Sequence, residues 1–160
     1  MSRLPDDLAA RLRFLARVVD RECKHLSQTD ARLFAEPFTA QRASALDDDP
    51  TQAERVEAFV SRFARLQDTL GDKLLTSLLR AIGETPGAAI DNLDRAERLG
   101  WLPSADEWLA ARQLRNRMVH EYVEDPAVLA DALQTGHTLV PMLLQAAERM
   151  LGELRGRSWL

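Results

Sequence analysis

The chain has 160 residues and a formal net charge of −4, with 46% hydrophobic and 29% charged residues. This length suits one compact domain, since domains are commonest at about 100 to 150 residues. Seven glycines and seven prolines exclude collagen-like and low-complexity chains. The acidic balance does not fit a protein that coats nucleic acid through a broad basic surface, although it leaves room for a small local basic site. We expect residues 1–160 to form a single domain.

The sequence contains no sign of export or of membrane insertion. The lone cysteine, Cys23, excludes an intramolecular disulfide and a cysteine-rich zinc site, so nothing indicates an oxidising compartment. The first residues, Met1 to Asp7, lack the apolar run behind basic residues that marks a secretory signal. No stretch has the roughly 18 apolar residues that a membrane span needs. We therefore expect a soluble, cytoplasmic protein.

Residue composition predicts an all-α fold. Leucine, alanine, arginine and glutamate are frequent and tyrosine occurs once, which is typical of helices rather than sheets. Apolar residues at helical spacing predict a first helix over about residues 6–26. The weakly patterned stretch 27–50 is expected to be a long connection, within which residues 39–46 have the potential to form a short helix.

The second predicted helix crosses the middle of the chain. Thr51 and Glu54 match a capping box at its start, and an apolar stripe continues from there to about Ile82. Gly71 lies inside this stripe, where a glycine costs about 1 kcal/mol relative to alanine. We interpret Gly71 as a notch that lets a neighbouring helix approach closely, in preference to a break in the helix.

Three more helices are predicted in the second half of the chain. A short helix begins near Pro86, and the next helix is opened by a capping box at Ser104 and reaches about His120. The last helix begins at Pro126 and is expected to kink near residues 134–139, because it contains a proline. The expected architecture is an up-and-down bundle of four or five helices.

Arg115, Asn116 and His120 are residue types from which a reaction can be built. At 100° per residue, position 116 lies about 100° and position 120 about 140° from Arg115, while Tyr122 lies about 20° to its other side. One helix therefore cannot direct Arg115 and His120 at the same substrate atom unless a ligand spans both sides or a second copy of the helix is present. A two-fold dimer would bring two copies of each residue into one symmetric cleft.

These side chains permit phosphodiester cleavage without a metal. A neutral histidine can accept a proton from a ribose 2′-hydroxyl, a protonated histidine can donate one to the leaving oxygen, and an arginine can pair with the phosphate. RNA carries this nucleophile itself and is then the substrate class. The residue types alone also fit the surface of an ordinary amphipathic helix, where a single histidine and an Arg–Asn pair are common.

The run Leu-Arg-Asn-Arg-Met-Val-His-Glu-Tyr, residues 114–122, resembles the Arg-x4–6-His motif of the HEPN superfamily. It is most similar to the HepT branch, the toxins of the HEPN/MNT toxin–antitoxin systems. The similarity includes the asparagine after the arginine, the tyrosine two positions after the histidine, and the acidic-proline turn into a last helix with an internal proline. In architecture the resemblance covers most of the chain, and in sequence it is close only over about residues 113–125.

The resemblance implies a homodimeric bundle that acts as a metal-independent ribonuclease and needs no cofactor. In such a protein Arg115 would stabilise the phosphate, Asn116 would orient His120 or the RNA, and His120 would serve as acid or base. Tyr122 would receive AMP from a partner nucleotidyltransferase of the MNT type, which is the antitoxin. The negative charge of the added AMP would prevent RNA from binding at the active site. An alternative keeps the fold and makes the chain a non-catalytic subunit that presents nucleotide or substrate to that nucleotidyltransferase.

Other chemically capable residues are assigned structural roles. His25 and His137 have no second ligand at metal spacing, which indicates packing or helix-end positions, and Cys23 has no partner histidine and is expected to be a small buried hydrophobe. Asp47 to Asp49 precede a helix and are interpreted as a capping region rather than a cation site. The tryptophans are too few and scattered for a base-stacking platform and are expected in the core or a dimer contact: Trp101, Trp108 and Trp159.

Overall fold

The computed structural model describes residues 3–120 and 125–160, and for Val119 and His120 it describes the backbone alone. These residues form helices and no strand, so the all-α prediction is confirmed. In chain order the helices are α1 (Asp6–Leu33), α2 (Ala40–Ser44), α3 (Pro50–Asp68), α4 (Leu75–Ala81), α5 (Ala89–Arg98), α6 (Ala105–His120) and α7 (Pro126–Gly156). A 3-10 turn at Leu46–Asp48 precedes α3, and a π-helical segment at Thr69–Leu74 joins α3 to α4. We call α3, this segment and α4 together the central helix.

Contacts between neighbouring helices show that α1 and the central helix are antiparallel. Arg11, near the start of α1, donates from Nε to the Oγ of Ser77 over 3.3 Å, close to the end of the central helix. Glu22, further along α1, accepts from the hydroxyl of Thr69, which lies earlier in the central helix. The two helices therefore run in opposite directions.

The last two long helices complete the bundle. Met118, near the end of α6, packs beside Gly136 in the first half of α7, whereas Arg149 near the end of α7 donates to the carbonyl of Gly100 just before α6. These two helices are therefore antiparallel as well. The architecture is the predicted up-and-down bundle. With the central helix counted once, the described residues form six helices, one more than the upper prediction of five, and the extra one is the short α2.

Helix α1 is longer than predicted, and the prediction of a long connection over residues 27–50 was partly wrong. Leu26, Thr29 and Leu33 are buried at helical spacing, so the buried stripe of α1 continues to its end at Leu33. The polar residues between them hid this stripe in the sequence. The short helix predicted over residues 39–46 is present as α2, and the side chain of Thr39 caps it by accepting from the amide of Arg42.

The predicted capping box at Thr51 and Glu54 was wrong. Helix α3 begins at Pro50, and Asp49 is its N-cap, since the Oδ1 of Asp49 accepts from the amide of Gln52 over 3.1 Å. Proline suits the first helical position because it has no amide hydrogen to leave unpaired, and this moves the start of the helix two residues earlier than the predicted cap at Thr51 implies. Thr51 consequently lies inside the first turn.

Gly71 is a packing notch, as predicted, because the indole of Trp108 from α6 lies against it. A Cβ at position 71 would lie 3.0 Å from Nε1 of Trp108 and 3.4 Å from its Cζ2, closer than packed side chains normally approach. The helix does not break at Gly71 but widens into the π-helical segment. Short π-helical segments are rare inside α-helices, and those that occur are frequently found at functional sites.

The remaining helix boundaries are set by local side chains and glycines. Helix α5 begins at Ala89, later than the predicted start near Pro86, because the side chain of Asn92 bonds both the amide and the carbonyl of Gly87 and holds the preceding loop. The hydroxyl of Ser104 caps α6 over 3.2 Å, as its capping-box pattern predicts. Helix α7 continues to Gly156 beyond its internal proline, and the kink stays a prediction.

Candidate functional site

The structure places Arg115 and Asn116 on the last turns of α6, with the side chain of Asn116 exposed and that of Arg115 29% exposed. Helix α6 is continuous to His120, so the whole Arg-x4-His spacing lies on one helix. The side chain of His120 and the whole of Tyr122 lie outside the described residues. The structure therefore brings Arg115 and Asn116 onto one helix end and does not test the positions of the other two side chains.

Arg115 is engaged by a carboxylate of the central helix. Its Nη1 lies 2.8 Å from the Oδ1 of Asp68, the last residue of α3, and the side chain of Asp68 is 38% exposed. An exposed ion pair of this kind contributes only about 0 to 1 kcal/mol to stability. The contact uses one of the five N–H donors of the guanidinium, so Asp68 orients the group and leaves donors for a phosphate.

Asp68 is held in place because the residues on either side of it bind different helices. Gln67 is 2% exposed and donates from Nε2 to the carbonyl of Trp108 in α6 over 3.3 Å. Thr69 is buried, and its hydroxyl donates to Glu22 of α1 over 2.7 Å. The central helix is thus anchored on both sides at the point where the π-helical segment begins, and this fixes the backbone that carries Asp68.

The carboxyl of Glu22, which accepts from Thr69 in this anchor, has a shifted pKa. Burial raises the pKa of the Glu22 carboxyl above its ordinary value. The hydroxyl of Thr69 and the nearby cations Arg65 and Lys73 lower it again in part, while the charge of Asp68 raises it further. Glu22 and Asp68 therefore belong to one charged cluster, which links α1 to the base of the Arg115 contact.

Sequence reasoning missed Asp68, and one signal pointed toward it. Positions 68 and 115 are distant in the chain, and no pattern in the sequence pairs them. The glycine notch at Gly71, however, predicts that another helix crosses the central helix near this point. A charged residue within one turn of such a notch is a candidate partner for a cation on the crossing helix.

The buried amide of Gln67 has an unusual feature. Its Oε1 is buried and has no hydrogen-bond partner among the residues that the structure describes. An unpaired buried carbonyl costs about 1 to 3 kcal/mol, and such groups are rare in folded proteins. Among the residues that the structure describes, the contact between the central helix and α6 therefore contains an unpaired buried polar atom next to Asp68.

The other candidate residues have mostly structural surroundings. The Nδ1 of His137 lies 2.7 Å from the Oδ1 of Asp30, and its ring stacks on Phe34 with centroids 4.4 Å apart, so the packing role is confirmed. His25 is exposed in the middle of α1, which corrects its predicted place near a helix end. Cys23 is partly buried, and this burial, with Asp20 and Glu22 nearby, raises the pKa of its thiol to about 11.

The predicted capping and tryptophan roles also have clear outcomes. Asp49 of the acidic run is the N-cap of α3, whereas Asp47 and Asp48 lie exposed in the 3-10 turn. Trp101 and Trp108 are core residues, and Trp159 is partly buried against the core. Within residues 3–118 and 125–160, no three His, Cys, Asp or Glu side chains are arranged to hold one metal ion. None of the helices described there is long and apolar enough to cross a bilayer.

Comparison with known protein families, with curated proteins and with solved structures found no match to this chain.

Proposed function

We propose that this chain is a metal-independent ribonuclease of the HEPN type, a HepT-like toxin that works in the cytoplasm as a homodimer. The observation that carries the proposal is the Arg115-x4-His120 spacing on one continuous helix, with a partly exposed guanidinium whose direction a carboxylate already fixes. The up-and-down helical bundle is compatible with this family. Support beyond these features comes from the resemblance of residues 114–122 to the HEPN motif.

In the proposed reaction His120 accepts the proton of the ribose 2′-hydroxyl, and the freed oxygen attacks the adjacent phosphorus. The bond to the 5′-oxygen of the next nucleotide breaks, and the protonated His120 donates its proton to that leaving oxygen. Arg115 stabilises the charge that develops on the phosphate oxygens. The products are a 2′,3′-cyclic phosphate and a free 5′-hydroxyl.

Asp68 is a positioning residue in this proposal. It binds one nitrogen of Arg115 and restricts a long side chain that would otherwise sample many rotamers. Asn116 is exposed one position further along α6, and its proposed role is to orient His120 or the RNA. Because helical periodicity separates positions 115 and 120 by about 140°, the complete site combines Arg115 of one copy with His120 of the other.

Control of this activity is proposed to act through Tyr122. A nucleotidyltransferase of the MNT type, encoded as the antitoxin, would attach AMP to the tyrosine hydroxyl. If the helical periodicity of the sequence prediction is extended to position 122, that position falls about 20° from Arg115, and the added phosphate would place negative charge beside the guanidinium. The modified protein would no longer bind RNA at this site.

A second candidate function uses the same residues without catalysis. In it the chain is a binding subunit that presents nucleotide or substrate to the nucleotidyltransferase, with Arg115 and His120 as phosphate ligands. The observation that favours it is the Asp68 contact, since an arginine already paired with a carboxylate is suited to exchange that partner for a phosphate. The two functions differ in one respect, because only the ribonuclease needs a histidine that transfers protons.

The experiment that tests the proposal measures cleavage of a labelled RNA by the purified protein and by the His120→Ala variant, with and without EDTA. We expect cleavage by the wild type that EDTA does not change, and none by His120→Ala. His25→Ala removes an exposed histidine from α1 and is the matched control, which should cleave normally. Full activity in His120→Ala, or loss of activity with EDTA, would contradict the proposal, and binding without cleavage would favour the second function.

A further inference from the structure

The exposed side of α1 is basic, although the protein as a whole is acidic. At 100° per residue, all of its arginines and lysines except Arg11, which bonds Ser77, fall within about 100° of the helix circumference. This side lies opposite the buried stripe that contains Leu15 and Val19. The five cations are exposed and are Arg13, Arg17, Arg21, Lys24 and Arg32. We call this surface the basic face of α1.

These cations are not neutralised by neighbouring carboxylates. Among the residues that the structure describes, none of the five makes an ion pair within 4.0 Å. The acidic residues closest to the centre of this face in helical register are Asp6, Asp7 and Asp20, and they too are exposed. The whole chain has a net charge of −4 even though it includes these five cations, so the rest of the chain carries a larger negative charge than the whole. Charge is therefore separated on this molecule, which favours a polyanionic ligand at α1.

An exposed aromatic side chain lies within the basic face. Phe14 is 53% exposed and precedes Arg17 by three positions, so the two side chains are neighbours on the helix surface. A single exposed phenylalanine is common on protein surfaces and alone indicates nothing. Next to unpaired arginines, it offers a flat surface on which a base can stack while the cations bind phosphates.

The basic face continues into a cleft at one end of the bundle. Arg13 lines this cleft of about 520 Å³ together with Arg3, Asp6, Arg157 and Trp159. Arg3 pairs with Asp6 over 3.5 Å and Arg157 with Glu153 over 2.7 Å, whereas Arg13 makes no ion pair with the described residues. The guanidinium of Arg157 lies 5.2 Å from the centre of the Trp159 ring. The cleft thus repeats the combination found along α1, in which an aromatic ring lies among arginines.

We propose that the basic face of α1 and the Trp159 cleft form a track for single-stranded RNA that is separate from the site on α6. Arg13, Arg17 and Arg21 follow one another at four-residue intervals, so successive cations are about 6 Å apart along the helix. A strand with one phosphate per nucleotide can engage such a row, and Phe14 accounts for a preference over a purely acidic protein segment. The choice of RNA rests on the proposed ribonuclease function.

The Trp159 cleft and the catalytic site lie toward opposite ends of the bundle, whereas Arg21 lies level with the Asp68–Arg115 contact, because its neighbour Glu22 binds Thr69. Helix α7 begins just after the motif and ends beside Trp159, and its 31 residues span about 45 Å. RNA in the Trp159 cleft is therefore held by contacts remote from the reacting phosphate. Such contacts increase the affinity for long RNA relative to short RNA.

The test measures binding by fluorescence anisotropy with a labelled, 2′-O-methylated oligouridine long enough to span α1. This probe has no free 2′-hydroxyl and cannot be cleaved by the proposed reaction, so binding is measured without catalysis. The variant Arg17→Gln/Arg21→Gln removes two cations of the face. The matched control Arg98→Gln/Arg149→Gln removes two exposed arginines from α5 and α7.

The expected effect follows from the release of counterions. Each phosphate contact contributes about −0.7 to the slope of log affinity against log salt for a single strand. The Arg17→Gln/Arg21→Gln variant should reduce the steepness of this slope by about 1.4 and weaken binding roughly 25-fold at about 0.1 M salt. Phe14→Ala should weaken binding at least about fivefold with no change in slope. The control should bind like the wild type.

Several outcomes would overturn the inference. The first is no binding of the probe at about 50 mM salt. The second is an equal loss of affinity in the α1 variant and its control, because net charge alone would then explain the binding. Competition by polyglutamate as strong as by RNA, with no effect of Phe14→Ala, would assign the face to an acidic protein instead. Failure of binding leaves the α6 ribonuclease proposal standing, whereas intact binding without cleavage of ordinary RNA contradicts that proposal and leaves the track.

Discussion

The Asp30–His137 pair and the Asp68–Arg115 pair both join an aspartate on one helix to a nitrogen-bearing side chain on a neighbouring helix. Their contact distances are nearly equal, at 2.7 Å and 2.8 Å. Their surroundings differ. His137 is fixed from two directions, by Asp30 and by the stacked ring of Phe34, whereas the described contact of Arg115 is made by one nitrogen.

This difference distinguishes a contact that only stabilises the fold from one whose side chain can also bind a ligand. Asp30 is 17% exposed and binds a ring that cannot turn without losing its stack on Phe34. Asp68 is more than twice as exposed, and Arg115 can release it or share it with a phosphate at little cost. The residue types alone do not distinguish the two pairs. The number of directions from which each side chain is held does.

The largest expected effect is on Arg115. Arg115→Ala should lower RNA cleavage by about 10² to 10³-fold, because it removes a donor that stabilises the charge of the transition state. The free energy of unfolding should change by less than about 1 kcal/mol, since the pair with Asp68 is exposed. Cleavage assays and urea unfolding test both statements. Arg112→Ala, on the same helix, is the control, and an equal loss of activity there would remove the special role of Arg115.

Asp68 should have a smaller effect of the same kind. Asp68→Ala removes the carboxylate that orients Arg115, and we expect roughly tenfold slower cleavage from the increased rotamer freedom of the arginine. Asp68→Asn retains an oxygen acceptor and should recover part of the rate. Steady-state kinetics should show the change mainly in kcat. Faster cleavage in Asp68→Ala would mean that Asp68 competes with the phosphate and does not position Arg115.

His137 should show the opposite behaviour. His137→Ala removes both the bond to Asp30 and the stack on Phe34, and it should lower the free energy of unfolding by about 1 to 2 kcal/mol. Cleavage under native conditions should remain that of the wild type. The exposed His25→Ala should stay within about 0.5 kcal/mol in the same urea titration. Slower cleavage at unchanged stability would place His137, rather than Arg115 alone, in the functional site.

Glu22 should give the smallest effect, and one that depends on pH. A carboxyl with a raised pKa in the folded state favours folding when protonated, so this contribution is lost as the pH rises through the folded-state pKa. Glu22→Gln should therefore be more stable than the wild type at pH 7 by a few tenths of a kcal/mol, after allowance for solvent screening. Below the ordinary glutamate pKa the difference should disappear. Exposed Glu57→Gln should show no such trend in thermal unfolding.

Local chemistry made much of the fold predictable. Pro126 and Ser104 mark helix starts by their own backbone and hydroxyl properties, and the long apolar stripe predicted the central helix together with the notch at Gly71. Two errors had local causes as well. Polar residues hid the last turns of α1, and Pro50 moved the α3 start so that Asp49, not Thr51, became the cap.

The site was less predictable because its contacts are tertiary. The sequence indicated Arg115, Asn116, His120 and Tyr122, but the pairing of Arg115 with Asp68 depends on how α6 crosses the central helix. The π-helical segment beside this crossing has no signature in the residues themselves apart from the glycine. Helical periodicity also predicts that Arg115 and His120 of one chain meet the same substrate atom only if a ligand spans both sides of the helix or a second copy supplies one of them, and the proposed site uses the second copy.

Mixing two inactive variants tests this central statement most directly. Arg115→Ala and His120→Ala, each inactive alone, are unfolded together and refolded in equal amounts so that subunits exchange. If Arg115 of one copy acts with His120 of the other, each mixed dimer contains one intact site, and the mixture should recover roughly one quarter of the wild-type cleavage rate. A mixture as inactive as its two components, with dimers present by light scattering, would contradict a site shared between two copies.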